Sequence, residues 1–315
     1  MKKIVVSLIC LFAILGNKTN AQSKDNVGFI SLSTYIDSSV EERAEGATDV
    51  LKNKLDQIVN NNGLSNSFSR FILTANVVPV TKDVLGTAPT SIAYTLNVSF
   101  YIGDGIDGNK FATYSKNIKG VGINETKALI NAFKNINTSD SELQSFISKG
   151  KKEIVNYYNT RCDVIIKQAR LLETQNQFDE AIFILTSVPD ACTDCFNKST
   201  AAVQDIFDKK INMECKTKLQ EAKLLWASNP TADGANLVSD ILKDVNPRSS
   251  CYKDVVAFTG SVAKRVLEID GREWKFNVDK EIGLEKDRIK AIRDIGVAWG
   301  NGQPKSIVYN VRGWW

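Results

Sequence analysis

The chain is 315 residues long and 43% hydrophobic, with 40 Lys+Arg against 36 Asp+Glu, six cysteines and no histidine. The missing imidazole removes the commonest general base near neutral pH and the commonest transition-metal ligand, and with it any Ser-His or Cys-His mechanism. The apolar content suffices for one large domain or two ordinary ones.

Residues 1–21 read as an export signal. Lys2 and Lys3 precede the apolar run Ile4–Leu15, and Gly16–Ala21, with small Thr19 and Ala21, leads to a mature start near Gln22. Such a run is too short to span a bilayer and no later one is long enough, so no transmembrane segment is expected once the signal is removed. Cys10 does not make a lipoprotein signal, because Ile9 before it is not small and cutting there leaves almost no apolar run. The Lys-Lys start and the Asn20-Ala21-Gln22 junction look bacterial, which points to the periplasm. The signal holds Lys2, Lys3 and Lys18 and no acid, so its loss lowers the formal charge from +4 to +1. A nearly neutral remainder gives no support for nucleic-acid binding or polybasic membrane attachment.

Residues 22–137 read as an α/β domain. A short apolar strand is expected in Val27–Ile36, followed by a helix that Ser39 and Glu42 would open as a capping box. Ala44, Ala47, Leu51, Leu55 and Ile58 mark its inner face, and Asn60-Asn61-Asn62-Gly63 stops it. Phe71–Val80 is a second strand that Pro79 ends or bends. The third is the clearest: Ile92, Tyr94, Leu96, Val98, Phe100 and Ile102 alternate with Ala93, Thr95, Asn97, Ser99 and Tyr101. A period of two means one face on a core and one face wet or partner-bound. Gly103-Asp104-Gly105-Ile106-Asp107-Gly108 turns the chain into a fourth strand, Lys110–Ile118, and Gly120-Val121-Gly122 leads into a helix with Ala128, Leu129, Ala132, Phe133 and Ile136 inward.

The order β-α-β-β-β-α implies a mainly antiparallel sheet with two helices on one face. This order, with its strand–Gly-x-Gly–helix junction, resembles the small α/β domain shared by the TolB amino-terminal domain, the curli secretion channel subunit and lipoprotein activators of peptidoglycan synthases. The resemblance implies an envelope binding or assembly module. The Gly-x-Gly junction lacks the rest of a dinucleotide or P-loop pattern and reads as a plain turn. Asp104, Asp107 and Asn109 do not have EF-hand spacing and read as a hairpin connection.

Residues 138–270 are helical and contain a duplication. Cys162-Asp-Val-Ile-Ile-Lys-Gln-Ala169-Arg170-Leu171-Leu172 aligns without gaps to Cys215-Lys-Thr-Lys-Leu-Gln-Glu-Ala222-Lys223-Leu224-Leu225. Each copy continues into a second helix, Phe178–Val188 or Ala232–Val245, then a nearby proline (Pro189, Pro247), then Cys195-Phe196 or Cys251-Tyr252. In a helical hairpin the start of the first helix lies beside the end of the second. Cys162 then meets Cys195 or Cys192, and Cys215 meets Cys251; the expected pairs are Cys162–Cys195 and Cys215–Cys251, with Cys192 odd. Ala169, Leu172, Phe178, Ala181 and Leu185, with Gln177–Ile182 at the turn, resemble a tetratricopeptide-type hairpin, although the family tryptophan is absent. That resemblance implies stacked antiparallel helices and a concave docking surface.

Residues 271–315 read as a mixed-charge helix, Arg272–Ile295, broken by Gly296 and Gly300-Asn301-Gly302, and an aromatic tail. Trp314 and Trp315 are candidates either for packing on the body or for docking a partner.

The fold class expected is therefore α+β, a mainly antiparallel sheet domain followed by a disulfide-stapled, tetratricopeptide-like helical domain. The function expected is a non-enzymatic periplasmic binding or assembly protein, with no cofactor and no metal, docking envelope proteins such as secretion or cell-wall machinery. Two catalytic alternatives remain: a thiol oxidoreductase on Cys192 and Cys195, and a glycan hydrolase on carboxylates such as Asp104 and Asp107. A zinc site from Cys162, Cys192, Cys195 and Cys215 is a further rival, lacking a second Cys-x-x-C.

Overall fold

The structure is a computed structural model that describes residues 30–64, 69–276, 309–311 and 313–315. The export signal (1–21) and the carboxyl-terminal helix beyond residue 276 lie outside the described residues. The elements run β1 (Ser33–Tyr35), α1 (Ser38–Arg43), α2 (Thr48–Asn61), β2 (Phe71–Leu85), β3 (Ser91–Asp104), β4 (Lys110–Gly122), α3 (Glu125–Lys134), α4 (Ser141–Thr174), α5 (Phe178–Thr186), α6 (Thr193–Ser228), α7 (Ala232–Leu242) and α8 (Tyr252–Asp270). This is an α+β arrangement, a four-stranded sheet and then helices.

The strands lie in the order β1-β2-β3-β4. β1 runs parallel to β2 because α1 and α2 carry the chain back between them, and the remaining pairs are antiparallel. α1 is capped by Asp37, whose carboxylate accepts the Ser39 N–H at 3.0 Å. This corrects the Ser39–Glu42 capping box: Asp37 stands one residue before Ser38, so the helix has already begun at Ser39. β2 continues through Pro79 to Leu85, with a register shift between Pro79 and Thr81. The proline is tolerated because β1 ends at Tyr35, leaving this part of β2 an edge with no outer partner among the described strands.

The alternation of β3 places Leu96, Val98, Phe100 and Ile102 in the core. α2, α3 and the first half of α4 cover that face. Gly120 and Gly122 let α3 approach: a Cβ on Gly120 would lie 2.2 Å from the Ala128 carbonyl oxygen. The other face is polar away from the β3–β4 hairpin, with Ser99 hydrogen-bonded to Ser115 and Asn97 Nδ2 donating to Asn117 Oδ1 at 2.9 Å. Along the outer edge of β4, Asn135 and Asn131 donate to the Lys119 and Val121 carbonyls at 2.9 and 2.7 Å, which blunts it against further strand pairing.

α4 is one 34-residue helix. Its first half packs on the sheet, Tyr158 edge-on to Phe71 and Gly150 against Ile102, and its second half opens the first helical copy. The apolar core accordingly runs without a break from Ile30 to Ile211, across residue 137. A second, smaller core contains Cys215, Leu219, Ala222, Val238, Leu242, Val255, Val262 and Val266. α8 ends at Asp270, with Gly271 left-handed at φ 63°. Arg272–Phe276 is thus not the start of a helix; Trp274 and Phe276 fold back on the second core. Among the described residues no helix is long and apolar enough to cross a membrane.

Candidate docking sites

Each duplicated copy forms one unit of three helices, and the long helix α6 is shared. The first unit uses the second half of α4, then α5, then the start of α6; the second uses the end of α6, then α7 and α8. Cys162 on α4 is bonded to Cys195 in the first turn of α6, with Cα atoms 5.5 Å apart. Cys215 within α6 is bonded to Cys251 at the N-cap of α8, at 6.1 Å. Each bridge therefore ties the first helix of a unit to the opening of its third, where the sequence placed the end of a second helix. The proline and turn before each cysteine end the short helix early, and the next begins at once.

Most positions of the repeated motif have a structural task. Ala169 and Ala222 are buried, and Leu172 and Leu225 are partly covered. Arg170 donates to Glu173 at 2.7 Å and Asp205 at 2.5 Å, and Lys209 also reaches Glu173, which ties α4 to α6. Lys223 instead stands over the Phe258 ring at 5.9 Å. Leu171 and Leu224 differ: they are 60% and 67% exposed, at equivalent places in both copies. An isolated surface leucine is ordinary. The same leucine exposed twice at one motif position is the feature that marks a surface here.

Cys192 caps α6, so the Cys-x-x-C does open a helix, although a helix and not a strand precedes it. Its thiol is fully buried and donates to the Val155 carbonyl at 3.7 Å. Burial, aided by the Asp190 charge, pushes its pKa up to about 11. A reactive cysteine needs the opposite shift, and Cys195 is already joined to Cys162. Beside that bridge is an open concavity of about 500 Å³ lined by Asn159, Cys162, Ala191, Thr193, Asp194, Cys195 and Lys198. Three cysteines of the rival zinc set, Cys162, Cys195 and Cys215, are held in the two bridges, which leaves Cys192 as its one thiol.

Asp104 and Asp107 are brought together by Arg70, which sequence reasoning missed. Arg70 donates to Asp104 through Nε and to Asp107 through a terminal nitrogen, each at 2.7 Å. The second Asp104 oxygen accepts the Ile106 and Asp107 N–H groups at 2.9 and 3.1 Å. Burial lowers the Arg70 pKa, but its interactions with Tyr158 and with the Asp104 and Asp107 carboxylates more than offset this and hold it above its usual value. Burial raises that of Asp107, and Arg70 offsets part of the rise. With Asp104 wholly buried, these groups organise the hairpin.

The aromatic tail occupies the sheet beside that hairpin. Trp314 is 4% exposed and clusters with Val311, Ile72 and Tyr101, on the sheet face away from the helices. Its indole N–H donates to the Gly108 carbonyl at 2.9 Å, and Lys110 donates to its backbone carbonyl at 2.9 Å. Of the two candidate docking tryptophans, Trp314 is packed and Trp315 is 41% exposed, 5.7 Å from the Tyr101 ring. The signal that could have located this seat is the set of closely spaced glycines, 103, 105 and 108.

No family model matches the chain, and no curated protein matches it. Among solved structures the chain is similar to a minor lipoprotein from Acinetobacter baumannii, at 18% identity over 38% of this chain and 81% of that one, with a TM-score of 0.22. So loose a superposition carries no argument about fold or function.

Proposed function

We propose that this protein is a non-enzymatic scaffold of the bacterial cell envelope, exported to the periplasm, which docks partner proteins through its helical units and its sheet domain. The observation that carries this reading is the repeated surface of two disulfide-stapled units, each presenting the same exposed leucine, Leu171 or Leu224. Two disulfides fit an oxidising compartment, where such bridges form and persist. Staples stiffen the units, and a rigid surface loses less conformational entropy when it binds. The remaining candidates for chemistry are used in folding: Asp104 and Asp107 hold Arg70, and Cys195 holds Cys162.

Photo-cross-linking residues placed at 171 and 224 in the producing cells test the reading. The expected result is one common protein captured from both positions, with capture at each weakened when the other leucine is replaced by glutamate (Leu224→Glu or Leu171→Glu). No capture at either position, or capture at each that the glutamate at the other leaves unchanged, overturns it.

A further inference from the structure

The glycine hairpin between β3 and β4 is fitted closely to the chain's own Tyr309, Asn310 and Trp314. A Cβ on Gly103 would lie 2.2 Å from Cη2 of Trp314, and a Cβ on Gly105 would lie 2.2 Å from Cδ1 of Tyr309. At Gly108, with φ +75°, a Cβ would meet the Asn310 side chain at 2.8 Å. Gly103 and Gly105 do not have the left-handed backbone that demands glycine. The space left at Gly105 is filled by the Tyr309 ring, and that at Gly103 by the Trp314 ring together with the Asn109 carbonyl, which a Cβ would meet at 2.5 Å.

Directional bonds add to the shape. Asn310 N–H donates to the Gly105 carbonyl at 2.6 Å, and the Tyr309 hydroxyl donates to the Ser69 carbonyl at 3.4 Å. With the Trp314–Gly108 and Lys110–Trp314 bonds, the segment is read at both ends. Tyr309 meets the Tyr35 ring edge-on at 5.0 Å, and Val311 is 3% exposed. Each of these partners lies between Tyr35 and Lys110, more than two hundred residues away for the hydrogen bonds of Lys110, Gly108 and Ser69. Residues 277–308 separate the segment from Phe276, which is packed on the second core. Nothing in the contact set depends on which copy of the chain supplies the segment.

We propose that this hairpin is a peptide-binding socket that takes Tyr309–Trp315 from a second copy of the chain as well as from its own, so that copies associate by exchanging tails. Exchange preserves every contact and leaves only the cost of bringing two molecules together. A tethered segment competes at an effective concentration of about a millimolar, so the wild-type protein exchanges mainly when concentrated. The proposal does not rest on the helical units docking any partner.

Complementation between two full-length variants removes that competition. Trp314→Ala spoils the tail and vacates the socket; Gly105→Val closes the socket and frees an intact tail. Each variant alone is expected to sediment as a monomer. Their mixture is expected to form a one-to-one complex, and excess synthetic peptide of residues 309–315 should dissociate it. A mixture that stays monomeric, or a complex the peptide leaves intact, overturns the proposal. If Gly105→Val fails to fold, the labelled peptide is titrated into Trp314→Ala instead: saturable binding, with at least tenfold weaker apparent binding to the wild type, is expected. A Trp314→Ala protein that does not bind the peptide overturns the proposal equally.

Discussion

Removing the two disulfides one at a time should have unequal consequences, although their loops are nearly equal. Cys162–Cys195 and Cys215–Cys251 close separations of 33 and 36 residues. On the chain-entropy account each restricts the unfolded chain by about 4 kcal/mol. The difference lies in what remains. The first unit shares one core with the sheet, so its helices keep large neighbours such as Tyr158, Phe178 and Ile206. The second unit has its own core, made mostly of valine and alanine with Leu219 and Leu242. A core of that size supplies about 3–5 kcal/mol of stability, no more than the staple itself. Cys215→Ser/Cys251→Ser should therefore melt α7 and α8 while the rest stays folded. Cys162→Ser/Cys195→Ser should lower overall stability without selective loss of α5. Hydrogen exchange read by mass spectrometry separates the cases: protection over 232–270 collapses in the first variant, and protection over 178–186 persists in the second. Retained protection over 232–270 in the first variant would refute the reasoning, as would loss of α5 alone in the second.

Four further outcomes follow from individual positions. Gly120→Ala should destabilise by about 1–3 kcal/mol because its methyl group meets the α3 backbone. Gly260→Ala, with open space around it in α8, should instead stabilise by about 0.5–1 kcal/mol; urea midpoints compare the pair. Arg70→Met leaves Asp104 buried without its partner and should cost about 3–5 kcal/mol in the same assay; a near-neutral effect would show that the pair does not hold the hairpin. Lys116 and then the Glu142 N–H keep the Asp140 carboxyl below its usual range. Because the folded pKa is lower than the unfolded one, about 3.9, the contribution is present above the unfolded value and lost as pH falls through the folded one. The stability advantage of wild type over Asp140→Asn should shrink as pH drops below about 4; a constant difference contradicts the assignment.

Much of this architecture is legible in local pattern, and what is not legible depends on distant partners. The alternation from Ile92 to Ile102 needs only the pleat of a strand to assign its core face. The cysteine pairing follows from the duplication, since two copies of one motif place four cysteines at matching points. The length of α4 is not legible, because nothing local says that one helix runs through Gly150 from the sheet into the first helical copy. The structure uses that glycine to bring α4 close to Ile102, a residue of β3. Arg70 carries no local sign that it joins Asp104 and Asp107, because its partners are 34 and 37 residues away. The glycines of the β3–β4 hairpin are legible as a turn. Their second use, as a seat for Tyr309 and Trp314, depends on residues at the other end of the chain. The exposed leucines are visible in the repeated motif, but only the packed structure separates Leu171 from buried Ala169 and half-covered Leu172.

The central claim is an exported scaffold whose two helical units are stapled separately. Peptide mapping of the full chain, isolated without reductant from the cells that make it and alkylated before digestion, tests this most directly. The account predicts Cys162 linked to Cys195 and Cys215 linked to Cys251, with Cys192 alkylated only after unfolding. Free thiols at those four positions, or Cys192 bonded to Cys162 or Cys195, would contradict it.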